Sequence, residues 1–194
     1  MIIGVDAGIT SYTEADALAG SLPARLSSAG DLAGIHTATH TVQVGDPRFV
    51  VTAFWPPGAH PAGDAVWTAV LAAVPGAGIV LTAPQEQDAR TSGPDLAVLG
   101  AWVAATRIAR GLSGRVVTWP GAAELTGRMP LAEALERGGL DGVEVIGGDP
   151  AGPDETFDPL GFVRPRWRAG GCVLQVQRGD DGVLVPFEPE HLPR

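Results

Sequence analysis

From residue 35 to 55 the chain alternates between apolar and polar positions. His36, Ala38, His40, Val42 and Val44 fall on one side of an extended backbone, and Thr37, Thr39, Thr41 and Gln43 on the other. That period of two, filled with β-branched residues, predicts a strand. Gly45-Asp46-Pro47 turns the chain, and Phe49 to Trp55 then runs almost continuously apolar. The two runs predict an antiparallel hairpin over 36–55 whose second strand lies deeper in the sheet. A second hairpin is predicted over 172–187, where Cys172 to Arg178 and Val183 to Phe187 flank the turn residues Gly179-Asp180-Asp181-Gly182.

Between the hairpins the period lengthens. Val66, Val70 and Val74, with Trp67 and Leu71 beside them, recur at helical spacing from Pro61 until Pro75-Gly76 stops them. Ile79-Val80-Leu81 reads as a short central strand. A second helix opens with Ser92, Pro94 and Asp95 and closes with Arg107, Arg110 and Gly111. Leu96, Leu99, Trp102, Val103 and Ile108 leave that helix apolar on most sides. It is expected to be the most buried helix, with Leu99 and Trp102 in the core.

Arg115 to Trp119 predicts another strand, Pro130 to Arg137 a short helix ended by Gly138-Gly139, and Val143 to Ile146 a further strand. This strand–helix rhythm favours parallel neighbours in the middle of the sheet. At the N-terminus Ile2 to Val5 suggests a short strand, and Thr13 with Asp16 resembles a capping box opening a helix through Leu18 and Leu22 to Pro23. Glycine, proline and aspartate dominate 147–159, which reads as a mobile loop. The expected fold is a single α/β domain, a mixed β-sheet covered by helices.

Composition narrows the chemistry. The 194 residues suit one domain with one substantial core, and 45% hydrophobic with 18% charged residues is globular usage. The chain contains no lysine and no asparagine. A P-loop, a Schiff-base or pyridoxal site and a protein-kinase centre all need one or both, so none can be built here. Arginine-only basicity with abundant alanine and glycine points to a GC-rich bacterial coding sequence. A net charge of −9 opposes nucleic-acid binding, which needs a concentrated basic face. Arg164, Arg166 and Arg168 form the one basic cluster, which reads as a solvated edge strand protected by its charge. The lone Cys172 rules out an internal disulfide and any multi-cysteine metal site. Met1 to Asp6 lacks the features of a signal peptide, and no run of about 18 apolar residues occurs. A cytoplasmic protein without membrane, metal or cofactor is expected.

Ile3-Gly4-Val5-Asp6-Ala7-Gly8-Ile9-Thr10 resembles the first phosphate motif of the actin-like and ribonuclease-H-like folds, in which a strand delivers an aspartate and a glycine turn admits phosphate. The resemblance spans eight residues, and no function is carried over from it. In that family a second hairpin strand follows directly, whereas Ser11 to Ser21 reads here as helix.

Histidines are the usual general bases and ligands near neutral pH. His36 and His40 lie on one strand face about 13 Å apart, too far to share a metal, and read as hydrogen-bonded sheet residues. His60 and Asp64 flank the start of the first sheet-covering helix, where Asp64 complements the helix dipole. Cys172 reads as a buried free thiol. Gln85, Glu86, Asp88 and Arg90 follow a strand and lead into a helix N-terminus, the place where α/β sheets collect ligands. If the central strands are parallel, their carboxyl ends bring Glu86, Asp88, Glu124 and Asp149 to one side.

The ligand-binding candidates are therefore Gln85, Glu86, Asp88, Arg90 and Asp149, and the catalytic candidates His36, His40, Glu86 and Asp88. The scarcity of motifs points to a non-catalytic binding or interaction protein, an adaptor, partner or immunity-type factor. Its acidity suits a basic protein partner, and its loop chemistry suits a polar small molecule. The alternative is a small-molecule hydrolase or isomerase using His and Asp/Glu acid–base chemistry.

Overall fold

A computed structural model describes residues 1–56, 61–82 and 89–187. The first half of the chain builds a sheet with helices on both faces. Strand β1 (Ile2–Ile9) pairs antiparallel with β3 (Pro47–Phe54) on one side and with β4 (Gly78–Thr82) on the other. It is an interior strand, with apolar Ile3 and Val5 on one face and Gly4 leaving room on the other. Ile3 and Val5 pack with Val51, Ala53, Ile79 and Leu81 beneath α1 (Tyr12–Arg25) and α2 (Gly63–Ala73). Gly4 instead lies under α3 (Asp95–Ala109), where a β-carbon would strike the Ala101 carbonyl.

Helix α1 starts earlier than the Thr13 signal implied. Ser11 is its cap and accepts the Glu14 N–H on its hydroxyl, so the capping serine and glutamate stand two residues before the expected pair. Ala15, Leu18, Ala19 and Leu22 form its buried stripe. In α2, Val66 and Val70 are fully buried, and the helix ends at Val74 as the sequence implies.

Strand β2 (His36–Gln43) and β3 form the expected hairpin, in register from His36 opposite Phe54 to Gln43 opposite Pro47. β5 (Arg90–Ser92) lies outside β4, and β6 (Arg115–Thr118) lies outside β2. The expected parallel centre is absent. β4 and β6 are antiparallel to every strand they pair with. By the sequence of pairings β3, β4 and β6 do run in the same direction, as strand–helix–strand units should. However, β1 fills the slot between β3 and β4, and β1, β3 and β2 stand between β4 and β6. The rhythm therefore predicts strand sense correctly and adjacency wrongly.

The second half extends the sheet through β10 (Arg166–Arg168), β11 (Gly171–Arg178) and β12 (Leu184–Pro186), with the predicted second hairpin between β11 and β12. The path ends with β9 (Thr156–Phe157) and β7 (Met129–Pro130), while β8 (Gly142–Val145) pairs in parallel with β11. This half curls around α4 (Leu131–Gly138). Leu131 and Ala134 join Cys172, Leu174, Val176, Leu184 and Phe157 in one buried cluster. In β11 buried residues alternate with half-exposed ones, so its other face meets solvent.

The arginine strand β10 is interior, between β6 and β11, which corrects the edge-strand expectation. The arginines of the cluster are engaged locally. Arg168 donates to Glu144 at 2.7 Å, Arg166 to the Gln175 amide oxygen at 3.2 Å, and Arg164 lies 3.7 Å from Asp16. Within the 147–159 segment, Phe157 is fully buried, and the Glu155 carboxylate accepts the Gly152 N–H at 2.6 Å and Arg178 at 2.9 Å. Among the described residues no helix is long and apolar enough to cross a membrane.

Candidate functional site

Helix α3 inverts the arrangement its sequence suggests. Gly100, Ala101, Ala104, Ala105 and Ile108 face the sheet, while Leu96, Leu99 and Trp102 are 57%, 48% and 38% exposed. The expectation of Leu99 and Trp102 in the core is thus overturned. The cause is how closely the helix approaches the sheet. A β-carbon at Gly78 would collide with the Ala97 backbone, and one at Gly100 with the Asp6 carboxylate. Only small residues fit between helix and strands, so the large ones turn outward.

On one flank of α3 this leaves a cleft of about 280 Å³ between the helix and the strand end at Thr82, with Ala89 on the same wall. Trp102, Thr106 and Arg110, spaced four residues apart, form the helical wall, and Ala105 and Ala109 between them leave room. Arg110 is the C-cap of α3. Its side chain is exposed and makes no hydrogen bond or ion pair among the described residues. Arg107, one turn away, is occupied by the Thr41 carbonyl at 2.7 Å.

The predicted site residues are placed as follows. Gln85, Glu86, Asp88 and His60 lie outside the described residues, although Thr82 and Ala89, which flank the 83–88 segment, both line the cleft. Arg90 is engaged by the Asp64 carboxylate of α2. Asp149 offers its backbone carbonyl to Arg178 at 2.9 Å. Glu124 sits in a 3₁₀ turn beyond β6. With three strands between β4 and β6, the ends of those strands are roughly 19 Å apart. Among the described residues no three His, Cys, Asp or Glu side chains group to hold a metal.

Asp6 does not face an open phosphate site. Its carboxylate is fully buried against Gly100, accepts the Gly8 N–H at 3.0 Å, and lies 3.5 Å from Arg48. The glycine turn serves that internal hydrogen bond.

The two histidines share a strand face, as their spacing implies, but have different environments. The Thr52 hydroxyl donates to the Ala38 carbonyl, so at His40 it accepts, and the His40 Nε2–H is the donor at 3.0 Å. His40 Nδ1 is buried and has no hydrogen-bond partner among the described residues. Burial, reinforced by the Arg107 charge, pushes its pKa down to about 3, so the ring is neutral in ordinary buffers. His36 donates from Nδ1 to the Gly34 carbonyl at 2.9 Å. Its ring stacks on Phe54 at 5.3 Å and meets Trp167 edge-on at 6.1 Å. Burial lowers its pKa, partly offset by the Gly34 hydrogen bond and by Asp141. The neutral form therefore carries its lone pair on Nε2.

Cys172 is buried, and burial together with Asp141 pushes its thiol up to about 12, which leaves it protonated and unreactive at neutral pH. Comparison with known protein families, with curated proteins and with solved structures finds no match. Trp102, Thr106 and Arg110 were missed in the sequence as residues lining a candidate cleft. Their signal was present in the four-residue spacing, but it was masked by reading the large residues of α3 as inward.

Proposed function

We propose that the protein is a non-catalytic binding protein of the bacterial cytoplasm, an adaptor or partner-type factor, that takes a small polar ligand in the α3 cleft. One observation carries this reading: a concave site that combines an exposed indole, two threonine hydroxyls and an uncommitted guanidinium beside a strand end. Of the two partners that charge and composition suggest, a basic protein or a polar small molecule, the cleft favours the small molecule. The groups best suited to covalent or acid–base chemistry support a passive role, since the Cys172 thiol and the His40 ring are both sealed in the core. The net charge of −9 weighs against nucleic acid as the ligand.

A fragment screen by ligand-observed NMR on the full chain tests the reading, run in parallel on an Ala109→Trp variant that fills the cleft from an exposed position. Fragments that bind the native chain, are released unchanged and are lost in the variant at an unaltered melting temperature are the expected result. Binders that ignore the substitution would place the site elsewhere.

A second reading, a small-molecule hydrolase or isomerase, is favoured by His36 alone. Its Nδ1–H is fixed by Gly34, which presents Nε2 as a base. Turnover of any fragment in the screen, abolished by His36→Gln, would favour the enzyme over the binding protein.

A further inference from the structure

Resting on the α3 cleft as the binding site, we infer that its ligand is a small aromatic carboxylate, with the ring on Trp102 and the carboxylate on Arg110. The described arginines are almost all committed. Arg48, Arg90, Arg115, Arg128, Arg137, Arg164, Arg168 and Arg178 meet carboxylates. Arg25 and Arg107 donate to backbone carbonyls, and Arg166 to Gln175. In a chain with 22 acidic residues and 13 basic ones, Arg110 is the described arginine left without any partner, and it stands at the mouth of a cleft. A free guanidinium repels cationic ligands and receives a carboxylate through two parallel hydrogen bonds.

The position has one electrostatic objection, since a helix C-terminus carries partial negative charge. The local hydrogen bonds answer it. Three carbonyls of the last turn of α3 are occupied: Thr106 by the Arg110 N–H, Arg107 by the Leu112 N–H, and Ile108 by both the Gly111 N–H and the Trp167 indole. Those three carbonyls are thus satisfied without the Arg110 side chain.

The rest of the ligand follows from the walls. Trp102 and Arg110 are eight positions apart on one stripe, roughly 12 Å along the axis. Both line the cleft with Ala105 and Ala109 between them, a spacing that suits a ring joined to its carboxylate by a short arm. The exposed indole offers a flat apolar surface for stacking. Thr82 and Thr106 supply hydroxyls for a second polar atom.

Calorimetric titration of the full chain with four probes tests this. They are indole-3-acetate, its neutral amide, the cationic analogue tryptamine, and acetate without a ring. The acid should bind at least tenfold more tightly than the amide, and neither tryptamine nor acetate should bind measurably. Arg110→Gln should bring the acid to the affinity of the amide and leave the amide unchanged, while Trp102→Leu should weaken both. Equal affinities for acid and amide, or an Arg110→Gln variant that retains the preference for the acid, would overturn the proposal. If none of the probes binds while other fragments still compete for the cleft, the aromatic carboxylate is wrong and the binding reading stands. If no fragment depends on the cleft, the binding reading itself falls.

Discussion

Gly100 of α3 lies directly against the carboxylate of Asp6 in β1, with no room between them for a methyl group. The contact explains how a helix can rest on a sheet face that carries a buried carboxyl group. It also fixes the rotation of α3, and so decides which residues the helix shows to solvent.

Gly100→Ala should therefore destabilise the protein although alanine is the better helix former. The helical gain is about 1 kcal/mol, and displacing Asp6 or lifting the helix should cost more, for a net loss of about 1–3 kcal/mol. Urea denaturation measures it. A stabilised variant would mean that α3 does not sit on Asp6.

The outward turn of α3 predicts a contrast between tryptophans. Trp119 is buried and its indole donates to the Gly138 carbonyl at 2.7 Å, so Trp119→Ala should cost about 3–5 kcal/mol. Trp102→Ala should cost less, about 1–2 kcal/mol, since that residue is 38% exposed. Comparable losses from the two substitutions, measured by chemical denaturation, would return Trp102 to the core.

His40 makes stability depend on pH in a defined window. Its folded pKa of about 3 lies below the ordinary 6.5, so between those values the unfolded chain binds a proton that the native chain does not. Stability should therefore fall as pH drops below 6.5, by about 2 kcal/mol at pH 5 from this residue alone. His36, also lowered, acts in the same direction. The carboxylates held low by hydrogen bonds and arginines, Glu144, Glu155 and Asp158, matter only below their ordinary range. In His40→Gln the loss between pH 7.5 and 5 should shrink by more than half, as read from urea midpoints at both pH values. An unchanged loss would show that His40 is protonated in the native state.

Cys172 should resist alkylation. With its thiol pushed up to about 12 and its side chain buried, native protein at pH 8 should take up iodoacetamide only as fast as it unfolds, whereas denatured protein should label fully within minutes. Mass spectrometry separates the two, and rapid native labelling would contradict the buried position.

Much of the fold was legible because local periodicity and global packing agree there. The threonines of β2 alternate with its histidines, and Val66 and Val70 of α2 are buried where their spacing puts them. Strand adjacency, including the interior place of β10 and the absence of a parallel centre, was not legible, and two features illustrate why. The first is the interior place of β1, because pairing partners lie outside any local window. The second is the facing of α3, where the small residues pack inward and the rule that large apolar side chains seek the core fails. The candidate cleft went unread for that reason: the strand-end argument led to the segment beside Ala89, while Trp102 was assigned to the core and Arg110 to the helix terminus.

The most direct measurement is a ¹H–¹⁵N correlation spectrum of the full chain recorded while indole-3-acetate is added. The account predicts that the largest shifts fall on the Trp102 indole N–H and on the backbone amides of Thr106, Ala109 and Arg110, with the Trp119 and Trp167 indoles unmoved. Shifts centred on His36 and Gly34, or a spectrum unchanged at millimolar ligand, would contradict it.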